Sequence, residues 1–330
     1  MLRSAVVGCG KIGSEMSVDP LLEGDVFTHA DAYARCQKTD LVALCDSNEE
    51  KLEAAGKLWG VTALYSSVEE LVAHEALDVV SICTPTATHR VALRAVLNGS
   101  SPPRGVLCEK PLGMTLAESE EMAALAKERG VCLATIYMRR YANNFQALKK
   151  FLGEGGIGDL QTIAGVYIKG TFHNGTHWFD MLRYFAGEVE RVSGLNILEE
   201  ERDDPTLDVA LQMKSGVLAT LRALDYTKYT TFEMDLFGTG GRVRIVDSGF
   251  EIEVYKPMPS PRYEGYVELE RAPMDFGDRR NLVLHAVEDM VGCLETGRAP
   301  LCTAADGVAA ARVADAAVRS SAFGGGVVEV

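Results

Sequence analysis

Three glycines constrain this chain more than any other feature. Ala5-Val6-Val7-Gly8-Cys9-Gly10-Lys11-Ile12-Gly13 sets a G-x-G-x-x-G spacing directly behind a short apolar strand. In that context the glycines permit a tight strand-to-helix turn, let backbone approach a pyrophosphate, and leave room for a helix whose first N–H groups face the anion. Gly8, Gly10, Lys11, Ile12 and Gly13 are therefore candidate dinucleotide-binding residues. The alternative is a glycine-rich turn with no ligand.

The remainder of the first third fits a dinucleotide fold. Short apolar runs at Ser4–Val7, Leu41–Cys45, Val79–Cys83, Gly105–Cys108 and Cys132–Ile136 alternate with stretches such as Asn48–Trp59 and Leu116–Arg129, whose apolar residues recur every three or four positions. Strands separated by helices specify βαβ units on a parallel sheet, an α/β Rossmann arrangement. Beyond about residue 150 the texture changes to strand-like segments at 160–168, 207–213, 217–224, 232–237, 243–246 and 250–255, which predict an α+β half with a large, mostly antiparallel open sheet. Helices are expected over 280–295 and 304–320. Residues 256–279 carry Pro257, Pro259, Pro261 and Pro273, so an irregular excursion is expected there. A chain of 330 residues, at about 150 per domain, divides into two domains. They are placed at 1–120 and 121–330, with the helix at 304–320 able to pack back on the first.

Composition removes several classes of partner. The net charge of −14 argues against nucleic acid, because neutralising phosphates needs a basic footprint. No apolar stretch approaches the ~20 residues that cross a bilayer, and the N-terminal residues carry no signal-peptide pattern, so a cytoplasmic protein with no membrane partner is expected. The eight cysteines include no C-x-x-C pair. Cys9, Cys45, Cys83, Cys108 and Cys132 lie in or beside apolar runs, which predicts reduced core thiols rather than disulfides or metal ligands.

The second strand ends in Cys45-Asp46-Ser47, where a carboxylate can accept hydrogen bonds from the adenosine ribose hydroxyls. That favours NAD over NADP, whose 2′-phosphate Asp46 would repel. The usual spacing from the glycines is about 20 residues, whereas here it is 46 − 13 = 33. The excess lies in residues 14–28, whose Pro20 and Gly24 suggest a loop inserted before a helix at 29–37. Asp46 as a simple cap of the helix that follows is the other reading.

Two further motifs carry a family resemblance. Ser81-Ile82-Cys83-Thr84-Pro85-Thr86-Ala87-Thr88-His89, followed by Leu107-Cys108-Glu109-Lys110-Pro111-Leu112, resembles the glucose-fructose oxidoreductase, inositol dehydrogenase and MocA (Gfo/Idh/MocA) family. The resemblance continues in Tyr137-Met138-Arg139-Arg140-Tyr141, Gly155-Gly156-Ile157-Gly158, Gly175-Thr176-His177-Trp178-Phe179-Asp180 and Phe237-Gly238-Thr239-Gly240-Gly241. It implies a Rossmann domain followed by an open-sheet domain, NAD as cofactor, oxidation or reduction at a carbinol carbon of a sugar, cyclitol or related polyol, and a homodimer or homotetramer. It also implies that Ser47, Thr84, Pro85, Thr86, His89, Glu109 and Lys110 join the glycine loop and Asp46 around the cofactor. Lys110 inherits the catalytic role of the family's lysine, and His177 that of its partner histidine.

The chemistry of the residues agrees. Moving hydride to or from a carbinol carbon requires a proton to leave or reach the hydroxyl oxygen, and a cation beside that oxygen stabilises alkoxide character. A lysine at a strand end can equally be a solvated surface charge, and His177 a structural histidine. If the chain is helical from about Thr176, His177, Asp180 and Tyr184 share one stripe, while Trp178, Leu182 and Phe185 share the adjacent apolar one. His173 stands where many family members carry Asp, so His173 and Asn174 are candidate contacts for substrate hydroxyls, with His173 also a candidate catalytic group. His173, His177 and Asp180 have a spacing that can hold a transition metal on one helix. Gly175 interrupts that helix, and hydride chemistry needs no metal, so none is expected.

Arg139, Arg140 and Lys169 are basic residues that could meet a carboxylate or phosphate, as on an acidic sugar or nucleotide sugar. Surface pairing with the abundant acids is the plainer alternative. Two other functions fit the same scaffold: a glycosidase that uses held NAD for transient oxidation, and a non-catalytic nucleotide-binding regulator.

Overall fold

The computed structural model describes all 330 residues. The first sheet is assembled from β1 (Leu2–Val7), β2 (Thr39–Cys45), β3 (Ala63–Tyr65), β4 (Val79–Ile82), β5 (Gly105–Glu109) and β6 (Cys132–Ile136), joined by α1 (His29–Arg35), α2 (Glu49–Trp59), α3 (Val68–His74), α4 (Thr86–Asn98) and α5 (Leu116–Glu128). Helix starts are written locally. The side chains of Thr28, Asn48, Ser67 and Thr115 each accept the N–H three residues on, satisfying a donor that the helix leaves orphaned. All pairings are parallel, in the order β3-β2-β1-β4-β5-β6. The order reverses between β1 and β4, where ligands of such sheets bind beyond the strand ends. Ala5, Val80, Ile82, Leu93, Val96, Val106 and Met122 are among the residues that fill the core on one side of this sheet.

The second sheet has nine strands, in the order 267–272, 251–259, 241–246, 233–238, 160–167, 218–223, 208–213, 189–195 and 328–329. After α6 (Asn143–Gly153) come β7 (Leu160–Tyr167), α7 (Thr176–Ala186), β8 (Val189–Leu195), β9 (Asp208–Met213), β10 (Leu218–Ala223), β11 (Glu233–Gly238), β12 (Gly241–Val246), β13 (Glu251–Pro259) and β14 (Val267–Ala272). Only β7 and β10 pair in parallel. The chain then forms α8 (Leu282–Thr296), α9 (Ala304–Ala322) and β15 (Val328–Glu329). No helix is long and apolar enough to cross a membrane.

Two expectations change. The proline-bearing stretch after 256 is not wholly irregular: Pro257 and Pro259 extend β13 and pair with Leu269 and Val267 of β14. β12 reaches only as far as Tyr255, so beyond it β13 has a free side on which a residue without an N–H is tolerated. The cut at residue 120 also gives way. β6 adds a sixth parallel strand after it, and α8 returns to the first sheet. The compact units are Met1–Ala142 with Arg280–Ala311, and Asn143–Arg279 with Arg312–Val330.

The long spacing to Asp46 has a helical explanation. Ser14 N–H donates to the Gly10 carbonyl, so a helical turn begins at the glycines. The Ile12 and Gly13 carbonyls then accept from His29 and Ala30, where a continuous helix would present residues 16 and 17. The register skips 29 − 16 = 13 residues, and 33 − 13 restores the ordinary spacing of about 20. Residues 14–28 are thus an excursion looped out of one helix, held by Glu15 to Lys51 at 3.1 Å and by Asp25 and Val26 to Asn281. A deletion of residues 15–27, which rejoins Ser14 to Thr28, is expected to fold with helix α1 continuous. It should lose at most about 3 kcal/mol, from removing the buried Val26 side chain and the bonds of Asp25 and Val26 to Asn281. Urea unfolding measures this; an insoluble or unfolded deletion would disprove the loop-out.

Candidate active site

In the first unit the glycines have distinct physical roles. Gly8 has φ +96, and a Cβ there would stand 2.7 Å from the Cys83 carbonyl carbon and the Thr84 nitrogen. A Cβ on Gly13 would stand 1.9 Å from the Gly8 oxygen. Both glycines are therefore demanded by the protein itself. Gly10 is different: its Cβ would meet only the tip of Lys51, at 3.7 Å. The space over Gly10 is an open cradle at a helix N-terminus, which suits a pyrophosphate. At the end of β4, Thr84 Oγ1 is buried with no protein hydrogen-bond partner, a polar atom that a ligand hydroxyl or amide can satisfy.

Asp46 holds this loop. Its Oδ2 accepts the Cys9 N–H at 2.7 Å and its Oδ1 the Asn48 N–H at 2.8 Å. The cap of α2 is Asn48, which accepts from Lys51 N–H, so Asp46 is not a simple cap. A carboxylate has about four acceptor sites, and two are left for ribose hydroxyls. Asp46→Ala is expected to raise the Kd for NAD at least about tenfold, the worth of a hydrogen bond to a charged group. Calorimetric titration reads it, and unchanged affinity would remove Asp46 from the site.

Lys110 ends the neighbouring turn. It is half-buried after β5, joined to Pro111 by a cis peptide bond, and its N–H donates to Glu109 Oε2 at 3.3 Å. His89, expected against the cofactor, instead turns both ring nitrogens to protein carbonyls. Nε2 lies 2.8 Å from the Thr84 oxygen and Nδ1 3.1 Å from that of Pro111. It works behind the turn, tying the Thr84-Pro85 segment to the Lys110-Pro111 segment. Arg140 is likewise held inside the first unit, with its guanidinium 3.0 Å from Asp306 and donating to the Leu301 carbonyl. All eight cysteines are free thiols, and burial pushes those of Cys9 and Cys45 up to about 12, where they are inert.

The second unit carries the histidines. Helix α7 is anchored by Trp178, whose ring stacks on Phe232 with centroids 4.5 Å apart and fills the space beside Gly165, where a Cβ would meet it at 2.2 Å. His177 and Asp180 of this helix are both buried, so the expected polar stripe is no more exposed than the apolar one. Ahead of it, Gly170–Gly175 forms a wide π turn that presents His173 and Asn174 and is entered by Lys169 at φ +62. Sequence reasoning missed the residue that shapes this turn. Asp204 accepts the N–H groups of Phe172 and His173 at 2.8 and 2.9 Å, and a Cβ on Gly170 would meet its Oδ2 at 2.1 Å. Burial raises the Asp204 pKa, against the lowering effect of those N–H bonds. A lone Asp in an irregular segment gives no local signal of such a contact.

Both halves of the chain resemble known proteins. Residues 2–137 match the Gfo/Idh/MocA oxidoreductase family's NAD-binding Rossmann fold, and residues 170–330 match that family's C-terminal alpha/beta domain. The myo-inositol 2-dehydrogenase of Thermotoga maritima is 28% identical over 271 residues, covering 73% of this chain and 74% of its own. The inositol 2-dehydrogenase of Rhizobium meliloti is 26% identical over 347 residues, covering 97% of each chain. Among solved structures, the WlbA dehydrogenase of Bordetella pertussis, in complex with NADH and UDP-GlcNAcA, superposes with a TM-score of 0.78 at 20% identity, covering 100% of this chain and 98% of that one.

Proposed function

Because the chain belongs to the Gfo/Idh/MocA oxidoreductase family through both its NAD-binding and C-terminal domains, we propose that it moves hydride between NAD and a carbinol carbon of a sugar, cyclitol or nucleotide sugar. The observation that carries this reading is the placement of Lys110. It follows β5 of the sheet whose β1 and β2 bear the open Gly10 cradle and Asp46. Gly8, Gly10, Lys11, Ile12 and Gly13 would hold the pyrophosphate, Asp46 and Ser47 the ribose, and Thr84, Pro85, Thr86 and Glu109 the nicotinamide end. When bound, NAD supplies a two-electron acceptor.

The chain's own residues handle the proton and the substrate. Lys110 Nζ would lie at the carbinol oxygen: as the amine it takes the hydroxyl proton, and the ammonium so formed stabilises the developing alkoxide character. His177 is the second proton carrier, since imidazole ordinarily titrates near neutrality. His173, Asn174 and Asp180 hydrogen-bond the substrate's other hydroxyls, and Lys169 meets an anionic group where the substrate has one. Asp204 fixes the turn that presents His173 and Asn174. One face of the nine-stranded sheet leaves Leu218, Thr220 and Arg222 exposed, which supports a homodimer or homotetramer, measurable by sedimentation.

The test is NADH absorbance against a panel of cyclitols, aldoses, sugar acids and nucleotide sugars. Substrate-dependent NADH formation is expected with at least one member. Sugar release from a glycoside without net NADH would replace this reading with transient oxidation, and failure to bind NAD by calorimetry would end it.

A further inference from the structure

We propose that His29 is a positioning residue for the Glu109–Lys110 turn, acting through a directed chain of hydrogen bonds that runs Tyr33 to Ser81 to His29 to Glu109. The inference rests on the reading of Lys110 as catalytic. Tyr33 Oη lies 2.8 Å from Ser81 Oγ, Ser81 Oγ lies 2.8 Å from His29 Nδ1, and His29 Nε2 lies 3.1 Å from Glu109 Oε1. Tyr33, Ser81 and His29 are fully buried and Glu109 is 7% exposed. Unpaired polar groups there would be costly.

The chemistry of the two ends fixes the direction. An ionised carboxylate only accepts, so His29 Nε2–H donates to Glu109. Nδ1 then accepts from the Ser81 hydroxyl, whose oxygen accepts from Tyr33. Burial pushes the Tyr33 phenol pKa far up, keeping it a donor. Every proton has an acceptor in this order. A proton on Nδ1 would make Ser81 Oγ an acceptor from His29, leaving one hydroxyl proton without an acceptor: that of Ser81 if Tyr33 still donates to it, or that of Tyr33 if Ser81 donates instead.

The chain ties three structural elements together. α1 continues the helix that starts at the glycine loop, β4 leads to Thr84, and β5 leads to Lys110. His29 arrives at the right depth because the excursion is looped out: in helical register it lies three residues after Gly13, with Tyr33 one turn further on the same face. Glu109 Oε1 is held by His29 while Oε2 takes the Lys110 N–H. The rotamer of Glu109, and with it the backbone from which Lys110 extends, is thus set from the helix beside the cofactor loop.

Displacing a reacting group by about 1 Å can cost about 10²-fold in rate. His29→Leu, which removes both bonds, is expected to lower kcat about 30- to 100-fold with the Kd for NAD changed less than about threefold, the pattern of lost positioning rather than lost binding. His29→Gln, whose amide can still donate to Glu109, is expected to recover most of that loss. In wild-type protein carrying 15N-histidine, the His29 resonances, identified by their absence from His29→Gln, should show a protonated Nε2 and a bare Nδ1. This measurement needs no turnover, and for assignment it uses only the conservative His29→Gln variant. A protonated Nδ1, or full turnover in His29→Leu beside an inactive Lys110→Met, overturns the inference alone. Full turnover in Lys110→Met overturns the functional reading alone.

Discussion

Replacing Lys110 by methionine is expected to lower kcat about 10³-fold, while the Kd for NAD stays within about threefold of wild type. Methionine keeps the apolar stem and approximate length of lysine but carries neither charge nor proton, so the change isolates the ammonium. General acid–base assistance is worth roughly 10²–10⁴-fold, and charge stabilisation at a developing oxyanion adds to it. The backbone bond from Lys110 N–H to Glu109 is indifferent to the side chain, so the turn should persist. Steady-state rates at saturating substrate, paired with calorimetric NAD titration, separate the two effects. A variant within tenfold of wild-type kcat would mean that another group carries the proton.

The second large effect separates two glycines three residues apart. Gly13→Ala places a methyl 1.9 Å from the Gly8 carbonyl oxygen, so the end of β1 or the start of the helix must move. The expected result is destabilisation by about 1–3 kcal/mol, the usual cost of overpacking, together with loss of NAD affinity by about 100-fold as the anion-facing N–H groups lose alignment. Gly10→Ala meets nothing closer than the Lys51 tip at 3.7 Å. It should therefore melt with the wild-type protein and yet lose NAD affinity to a similar degree, because its methyl occupies the cradle. Thermal melts with and without NAD read both outcomes. If Gly10→Ala bound NAD normally, the open space over Gly10 would not be the pyrophosphate site.

What the sequence could disclose depended on how local the cause was. The glycine loop, the strand ends and the Lys110 turn follow from short patterns, because tight turns and buried parallel strands restrict residue types within a few positions. The spacing to Asp46 was legible as an anomaly, yet its resolution needed backbone bonds from Ile12 to His29 and Gly13 to Ala30 that no pattern announces. His29 stayed hidden for the same reason, since the excursion separates it from the glycines. Asp204 meets His173 from 31 residues away, through an irregular segment with no periodicity. The strand through Pro257 was obscured because proline tolerance depends on whether a neighbouring strand reaches that far, a property of register.

The return of α8 to the first unit has a consequence for biosynthesis. Leu282, Val283, Ala286, Val287 and Met290 are buried, and Met290 fills the space beside Gly105 on β5. The unit made of Met1–Ala142 and Arg280–Ala311 is therefore discontinuous in the gene. A nascent chain that has emerged from the ribosome only to residue 142 holds all six parallel strands but lacks the helix that seals one side of them. Folding of the dinucleotide half must wait for nearly the whole polypeptide, whereas Asn143–Arg279 is already outside the tunnel. The unit whose synthesis begins first is thus completed only after all of Asn143–Arg279 has been made, and a fragment ending at Ala142 should accumulate as an aggregation-prone species rather than as an autonomous nucleotide binder.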